Sequence, residues 1–409
     1  MGLISFEEAL EEILSSVVRT TAPELRFLDR AVGQVAAEEL KATFNYPLFD
    51  YAAMDGFAVR SAETAAASPE RPLRLRVIKT VAAGEFVEEE LPPGGAYKIF
   101  TGAPLPPGAD AVVELEKVKV EGDEVLLFEP VPEGANVRFA GEYAKLGQTI
   151  LERGEDITPG KVAVLAAFGL GKVKVFTPPR VAVLSTGSEV REPCEPLLRP
   201  GQIYDANSHS LAAAARREGF EAVNLGNLPD EPKLLEDFLK EHLYGFDAFI
   251  TTGGVSAGER DFIPELVKRL GIEAKFHKVA IKPGKPTLFG TYDGGRRLFF
   301  GLPGNPVSAL VNFYLLVYPA LRKLQGAKRL FKPKVRALLT EDFRRKNASR
   351  REFIRVRLSF GEDGTLFATP YRNTSSGDVL SLGFADGVAV IYEGVKEVER
   401  NRPVEVVLF

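Results

Sequence analysis

Thr251-Thr252-Gly253-Gly254-Val255-Ser256-Ala257-Gly258-Glu259-Arg260-Asp261 is the stretch on which the reading of this chain turns. Before it, Phe246 to Ile250 is a short apolar run of the kind that forms a buried strand. After it, Phe262 to Leu270 places apolar residues at helical spacing. The stretch is therefore a glycine-rich loop between a strand's C-terminal end and a helix N-terminus, where open α/β sheets take their ligands. Two adjacent glycines permit positive φ and remove the Cβ atoms that would hold a ligand away from the backbone. Free N–H groups and the helix dipole suit a phosphate or another oxyanion. Thr251, Thr252 and Ser256 add hydroxyls, and Asp261 stands where the helix begins, as its cap or as a magnesium ligand. A plain strand-to-helix turn with a capping Asp accounts for the same spacing.

Outward from this loop the pattern is β-α-β-α. Val181–Leu184 and Glu221–Leu225 read as strands, Ser208–Glu218 and Glu231–Leu243 as helices, and Arg297–Phe300 as a strand followed by a helix from Pro306 to Leu324. Such alternation predicts a largely parallel, doubly wound sheet with helices on both faces. Residues 44–137 differ: short β-prone runs alternate with Pro and Gly turns, which predicts a small β module. Residues 327–409 are again β-rich. The N-terminus predicts a helix over Ser5 to Val18, with Ser5 and Glu8 as a capping box, and a second helix from Asp29 to Leu40. The expected division is 1–43 with 138–176, 44–137, 177–326 and 327–409.

The totals narrow the chemistry. The 409 residues carry a formal net charge of −4, so no bulk basic field argues for nucleic acid or an anionic membrane. A single cysteine, Cys194, excludes an internal disulfide and a cysteine zinc site, and three separated histidines disfavour a histidine-rich metal centre. Any metal is then a hard cation on Asp and Glu oxygens, with magnesium the first expectation. No signal peptide or long apolar span is evident, so a cytoplasmic protein is expected.

Further loops repeat the theme. Ser185-Thr186-Gly187-Ser188-Glu189 follows the first strand of the α/β region and shares the sheet edge of the Gly-Gly loop, where Glu189 and Asp261 can meet at one magnesium. Gly201-Gln202-Ile203-Tyr204-Asp205-Ala206-Asn207 precedes a helix that Asp205 or Asn207 can cap. Gly301-Leu302-Pro303-Gly304-Asn305-Pro306-Val307-Ser308 is a third strand-to-helix loop, with Asn305 at the cap and Pro306 at the first helical position. Lys282-Pro283-Gly284-Lys285 holds two ammonium groups on a proline-fixed loop, which suits phosphate or a tetrahedral metal oxyanion. In the β module, Asp55-Gly56 is either a presented carboxylate or an ordinary turn, and Thr101 sits in a Pro/Gly-stiffened loop.

Taken in order, AAMDGFA at 52–58, TGAPLPPGADAV at 101–112, STGSE at 185–189, GQIYDAN at 201–207, TTGGVSAGERD at 251–261, KPGKP at 282–286 and GLPGNPVSA at 301–309 resemble the MoeA family of molybdopterin molybdenumtransferases, relatives of the gephyrin E domain. The resemblance covers essentially the whole chain. It implies an elongated helical domain, a β-rich insertion, a central MogA-like α/β domain similar to the molybdopterin adenylyltransferases, and a C-terminal β-barrel. It implies a homodimer whose active cleft is shared between subunits. It also implies magnesium-dependent release of AMP from adenylylated molybdopterin as molybdate or tungstate is inserted. By resemblance, Asp55, Asp261, Lys282 and Lys285 act in catalysis, and Glu189 and Asp261 hold magnesium. Thr101, Tyr204, Asp205, Thr252, Gly253, Gly254, Ser256, Gly258, Pro303, Gly304, Asn305, Pro306 and Ser308 contact substrate. Two departures stand out: Gly141-Glu142-Tyr143 where the family has Gly-Glu-Asp, and Tyr51-Ala52 where relatives often have Asn-Ser. A molybdopterin carrier or scaffold without turnover and an adenylyltransferase are the competing readings. Retention of Asp261, Glu189 and both lysines disfavours the first, and the added β domains disfavour the second.

Overall fold

The computed structural model describes residues 2–196, 198–255, 262–373 and 375–409. The chain divides into two compact units, one of residues 39–152 with 163–171 and the other of the remainder.

The smaller unit is built on a six-stranded sheet in the order Ala111–Glu114, Gly56–Val59, Gly95–Ile99, Leu73–Val81, Glu124–Leu127, Val118–Glu121. Alternating residues fill two faces: Ala58, Tyr97, Ile99 and Val112 on one, Phe57, Val59, Leu75 and Val125 on the other. Gly56 pairs with Ile99 in antiparallel register, so the residues just beyond that pair, Asp55 and Thr101, emerge together at one end of the sheet.

The larger unit opens with a helix, Phe6–Ser16, whose capping box is formed: the Ser5 hydroxyl accepts from Glu8 N at 3.2 Å and Ser5 N donates to the Glu8 carboxylate at 2.7 Å. The helix expected over Asp29 to Leu40 does not form. Leu28–Arg30 is one 3-10 turn, and Val35–Ala36 is a short strand hydrogen-bonded to Lys172–Phe176. Two glutamates and three alanines gave that segment its helical look, but Gly33 adopts a φ of +81° and turns the chain into the pairing.

The α/β sheet contains β1 (Arg180–Thr186), β2 (Glu221–Leu228), β3 (Ala248–Thr252), β4 (Glu273–His277), and, beyond the two-residue strand β5 (Ile281–Lys282), β6 (Leu288–Tyr292) and β7 (Arg297–Leu302). Its order is β2-β1-β3-β7-β6-β4. The first four strands are parallel, while β6 and β4 continue the sheet as an antiparallel edge. The helices are α1 (Asn207–Arg217), α2 (Pro232–His242), α3 (Ile263–Arg269) and α4 (Pro306–Asn312), the last continuing through a π-turn at Phe313–Val317 into Tyr318–Leu324. Val181 and Val183 of β1 face a core with Leu211 of α1 and Val307 and Val311 of α4. Ala182 and Leu184 face Leu235 and Leu239 of α2 and Ile263 and Leu266 of α3. Both faces of the strand are buried, which is why its sequence is a continuous apolar run.

Five further strands close on themselves: β8 (Lys334–Leu339), β9 (Arg351–Phe360), β10 (Leu366–Pro370), β11 (Gly387–Ile391) and β12 (Pro403–Leu408), in the order β9-β10-β8-β12-β11 with β11 pairing back to β9. Ala337, Leu339, Ile354, Val356, Ala389 and Val406 fill the interior of this barrel. Strand β5 runs parallel to the start of β9 and places Lys282 opposite Glu352. Among the described residues no helix is long and apolar enough to cross a membrane.

Candidate functional site

Strand β1 is followed in sequence by β2 on one side and has β3 on the other, so the strand order reverses between β1 and β3. Ligands of open α/β sheets bind outside the carboxyl ends of the strands at such a point. A cleft of about 570 Å³ lies there. Ser185, Thr186 and Glu189 line it from the end of β1, Asp230 from beyond β2, Thr252 to Val255 from β3, and Gly304 to Pro306 from beyond β7. Tyr204, Asp205 and Asn207 complete the wall ahead of α1. Four separate motifs of the sequence thus meet on one surface.

The Gly-Gly turn is fixed by its neighbours. Gly253 has a φ of +93°, and a Cβ there would stand 2.5 Å from the Thr186 carbonyl oxygen. Gly253 N donates to Leu302 O at 3.1 Å, and the Thr186 hydroxyl donates to Thr252 O at 3.2 Å. His277 Nε2 lies 2.7 Å from Val255 O and pins the far end of the turn.

Asp205 is an organiser and not a free ligand. It is 3% exposed, and its carboxylate accepts from Asn207 N and Ser208 N, each at 3.0 Å, from the Ser208 hydroxyl at 2.6 Å, and from the Ser185 hydroxyl. Of the two cap candidates before α1, Asp205 takes the helix N–H groups. That frees the Asn207 amide to reach across the cleft floor, donating to Gly304 O at 2.7 Å and to the Thr252 hydroxyl at 3.4 Å. Two side chains therefore tie the β1, β3 and β7 loops together. Asn305 occupies the N-cap of α4 with Pro306 next, but its side chain makes no capping bond.

Glu189, Tyr204, Asp205, Thr252, Gly253, Gly254, Gly304, Asn305 and Pro306 are brought together here. Pro303 and Ser308 are buried nearby without lining the cleft. Ser256, Gly258 and Asp261 lie outside the described residues. Asp55 and Thr101 belong to the smaller unit, where Asp55 Oδ1 accepts from Thr101 N at 2.8 Å and from the Thr101 hydroxyl at 2.7 Å. These two bonds, backbone first, hold the exposed Asp55 carboxyl below its ordinary pKa. The Asp55-Gly56 pair does serve as the turn into a strand, and the carboxylate is also oriented.

Lys282 stands in a second cleft, of about 360 Å³, with Arg344, Arg345, Lys346, Asn347, Arg350 and Glu352. Its ammonium is 2.7 Å from Glu352. Lys285 is exposed, with no ion-pair partner among the described residues. The two lysines share a loop, but only Lys282 lines this cleft. Asn207, Asp230, Arg345, Arg350 and Glu352 were not among the residues singled out from the sequence for the site. Asn207 was legible in GQIYDAN, and the basic run from Arg344 to Arg351 was visible as a charge cluster without a fold to place it.

Among the described residues no group of three or more His, Cys, Asp or Glu is poised as a metal site. Magnesium needs less from a protein, since it keeps several waters and takes one or two carboxylates together with substrate phosphates. With Asp205 saturated, the exposed Glu189 on the first cleft's rim and the neighbouring hydroxyls fit a cation of that kind.

Residues 4–169 match the family described as MoeA N-terminal region (domain I and II), 182–323 that described as probable molybdopterin binding domain, and 336–409 the MoeA C-terminal region (domain IV). The central α/β region is thus of the molybdopterin-binding class. A molybdopterin molybdenumtransferase from Staphylococcus aureus is 33% identical over 99% of this chain and 95% of its own length. That from Haemophilus influenzae is 39% identical over 81% and 80%. Two crystal structures of molybdopterin biosynthesis MoeA protein from Pyrococcus horikoshii superimpose with TM-scores of 0.87 and 0.83 at 33% and 36% identity, covering all of this chain and 99% or more of theirs. The chain belongs to the MoeA family.

Proposed function

We propose that this protein is a molybdopterin molybdenumtransferase that takes adenylylated molybdopterin in the first cleft and a tetrahedral metal oxyanion in the second. The observation that carries the reading is the convergence of four strand-end loops on one cleft whose donors are backbone N–H groups, hydroxyls and an amide. Such a surface suits a phosphorylated heterocycle, whose charge is met by glycine-turn N–H groups and whose ring meets the Tyr204 and Pro306 surfaces. Glu189, with Asp261 by family resemblance, would hold magnesium, which would supply charge neutralisation for the phosphoanhydride oxygens. The chain's own part is placement. Asp205 sets the start of α1, Asn207 locks the floor, and Gly253 and Gly254 bring backbone against the phosphates. Around Lys282 and Lys285, fixed cations meet molybdate or tungstate, two dianions of the same shape.

By family resemblance the working unit is a homodimer in which Asp55 and Thr101 of one subunit complete the cleft of the other. Retention of Glu189 and of both lysines supports turnover over a carrier role. The test is AMP release from adenylylated molybdopterin with magnesium, run with molybdate, with tungstate and with neither anion. Oxyanion-dependent release is expected, and binding without release in all three would leave a carrier.

A further inference from the structure

The second cleft contains a group that a simple anion trap would lack. Glu352 is 3% exposed, and it is the one acid lining that cleft among the described residues, beneath Lys282, Arg344, Arg345, Lys346 and Arg350. Its position follows from register: β5 pairs with β9 so that Lys282 faces Glu352 directly. One carboxylate oxygen lies 2.7 Å from the Lys282 ammonium and the other 3.4 Å from Arg345. Arg345 is itself buried and committed, donating to Arg350 O at 2.8 Å and Val395 O at 2.7 Å. Arg350 donates to Ile281 O at 3.3 Å, which ties the same loop to the barrel.

We infer that Glu352 is the counter-charge of the oxyanion cleft: it positions Lys282 and limits the affinity with which the cleft holds a tetrahedral dianion. This rests on the reading of the Lys282 loop as the oxyanion site. A dianion seated against the exposed part of Lys282 is within a few ångströms of Glu352, where like charges repel appreciably. The carboxylate also competes for the ammonium's donors. A substrate that must be handed on gains nothing from being held tightly in the ground state. A cluster of cations without an internal acid would hold molybdate more firmly and deliver it more slowly. Glu352 is a positioning residue and need not touch the anion.

The test is calorimetric titration of molybdate into the purified full-length protein and its Glu352→Gln, Glu352→Asp and Lys282→Ala variants. Glu352→Gln keeps the shape and removes the charge, so molybdate Kd is expected to fall, by about fivefold. A strut without electrostatic effect would instead loosen Lys282 and raise Kd, which would overturn the inference. Glu352→Asp keeps the charge and shortens the reach, so Kd should stay level or rise; a fall like that of Glu352→Gln would also overturn it. This variant decides the matter if the Gln protein folds poorly. Lys282→Ala reports on the reading beneath: if it leaves molybdate Kd unchanged, the loop is not the oxyanion site and the inference falls with it.

Discussion

The two clefts of the larger unit recognise anions by different means. The first contains little fixed positive charge. It is made from the ends of parallel strands, with Gly253, Thr252, Asn207 and Gly304 supplying neutral donors and close backbone, and its buried acid, Asp205, is saturated. The second is made from side-chain charge, Lys282, Arg345 and Arg350, with a buried acid opposed to it. Backbone donors impose geometry and discriminate shape. Side-chain cations act chiefly through charge, which molybdate and tungstate carry alike. An extended substrate that must be oriented suits the first, and a small symmetric oxyanion that must come and go suits the second.

The largest effect should come from breaking the first cleft's frame. Asp205→Ala leaves two helix N–H groups and two hydroxyls without their acceptor, and about 3 kcal/mol or more of stability should be lost in denaturant titration. Binding of AMP should be lost with it. Gly253→Ala forces a Cβ against Thr186 O at positive φ and should cost about 2–4 kcal/mol in the same measurement. Stability within about 0.5 kcal/mol of wild type in either variant would mean that the loops are not braced as described.

The second cleft should respond in the opposite way. Lys285→Ala removes an exposed ammonium from the loop that carries Lys282 into this cleft, one with no ion-pair partner among the described residues, so the melting temperature should hold while molybdate Kd rises by about tenfold, the worth of one charge-assisted contact. A loss of stability with unchanged Kd would reverse the roles assigned to the two clefts.

The smallest effect on stability is expected in the smaller unit, at Asp55. Its folded-state pKa is depressed by the Thr101 bonds, so its contribution to stability is present above the ordinary carboxylate range and is lost as pH falls through the folded value. Asp55→Asn should flatten that acid limb slightly in melts taken from neutral pH down to about pH 3. An unchanged acid limb would show that the Thr101 bonds do not persist in solution.

Much of the first cleft could be read in the chain because its residues sit in contiguous motifs at strand ends, where turn chemistry is local. The Gly253-Gly254 turn, the Pro306 helix start and the Ser5 capping box are of this kind. What could not be read depended on pairing between distant segments. The antiparallel edge β6-β4 has no period that separates it from a parallel strand, and Gly33 overrode the helical look of Asp29 to Leu40. Glu352 is the clearest case: seventy positions after Lys282, it becomes that lysine's neighbour only through the β5–β9 register. Asn207 lay inside a motif, but its bond to Gly304 O required the switch in strand order.

The most direct test of the two-cleft account is to titrate AMP and molybdate against the same protein, each alone and each with the other present at saturation. The account predicts that both bind together, with the Kd of neither raised by more than about twofold. Mutual exclusion, with each anion displacing the other stoichiometrically, would place them in one cleft and contradict it.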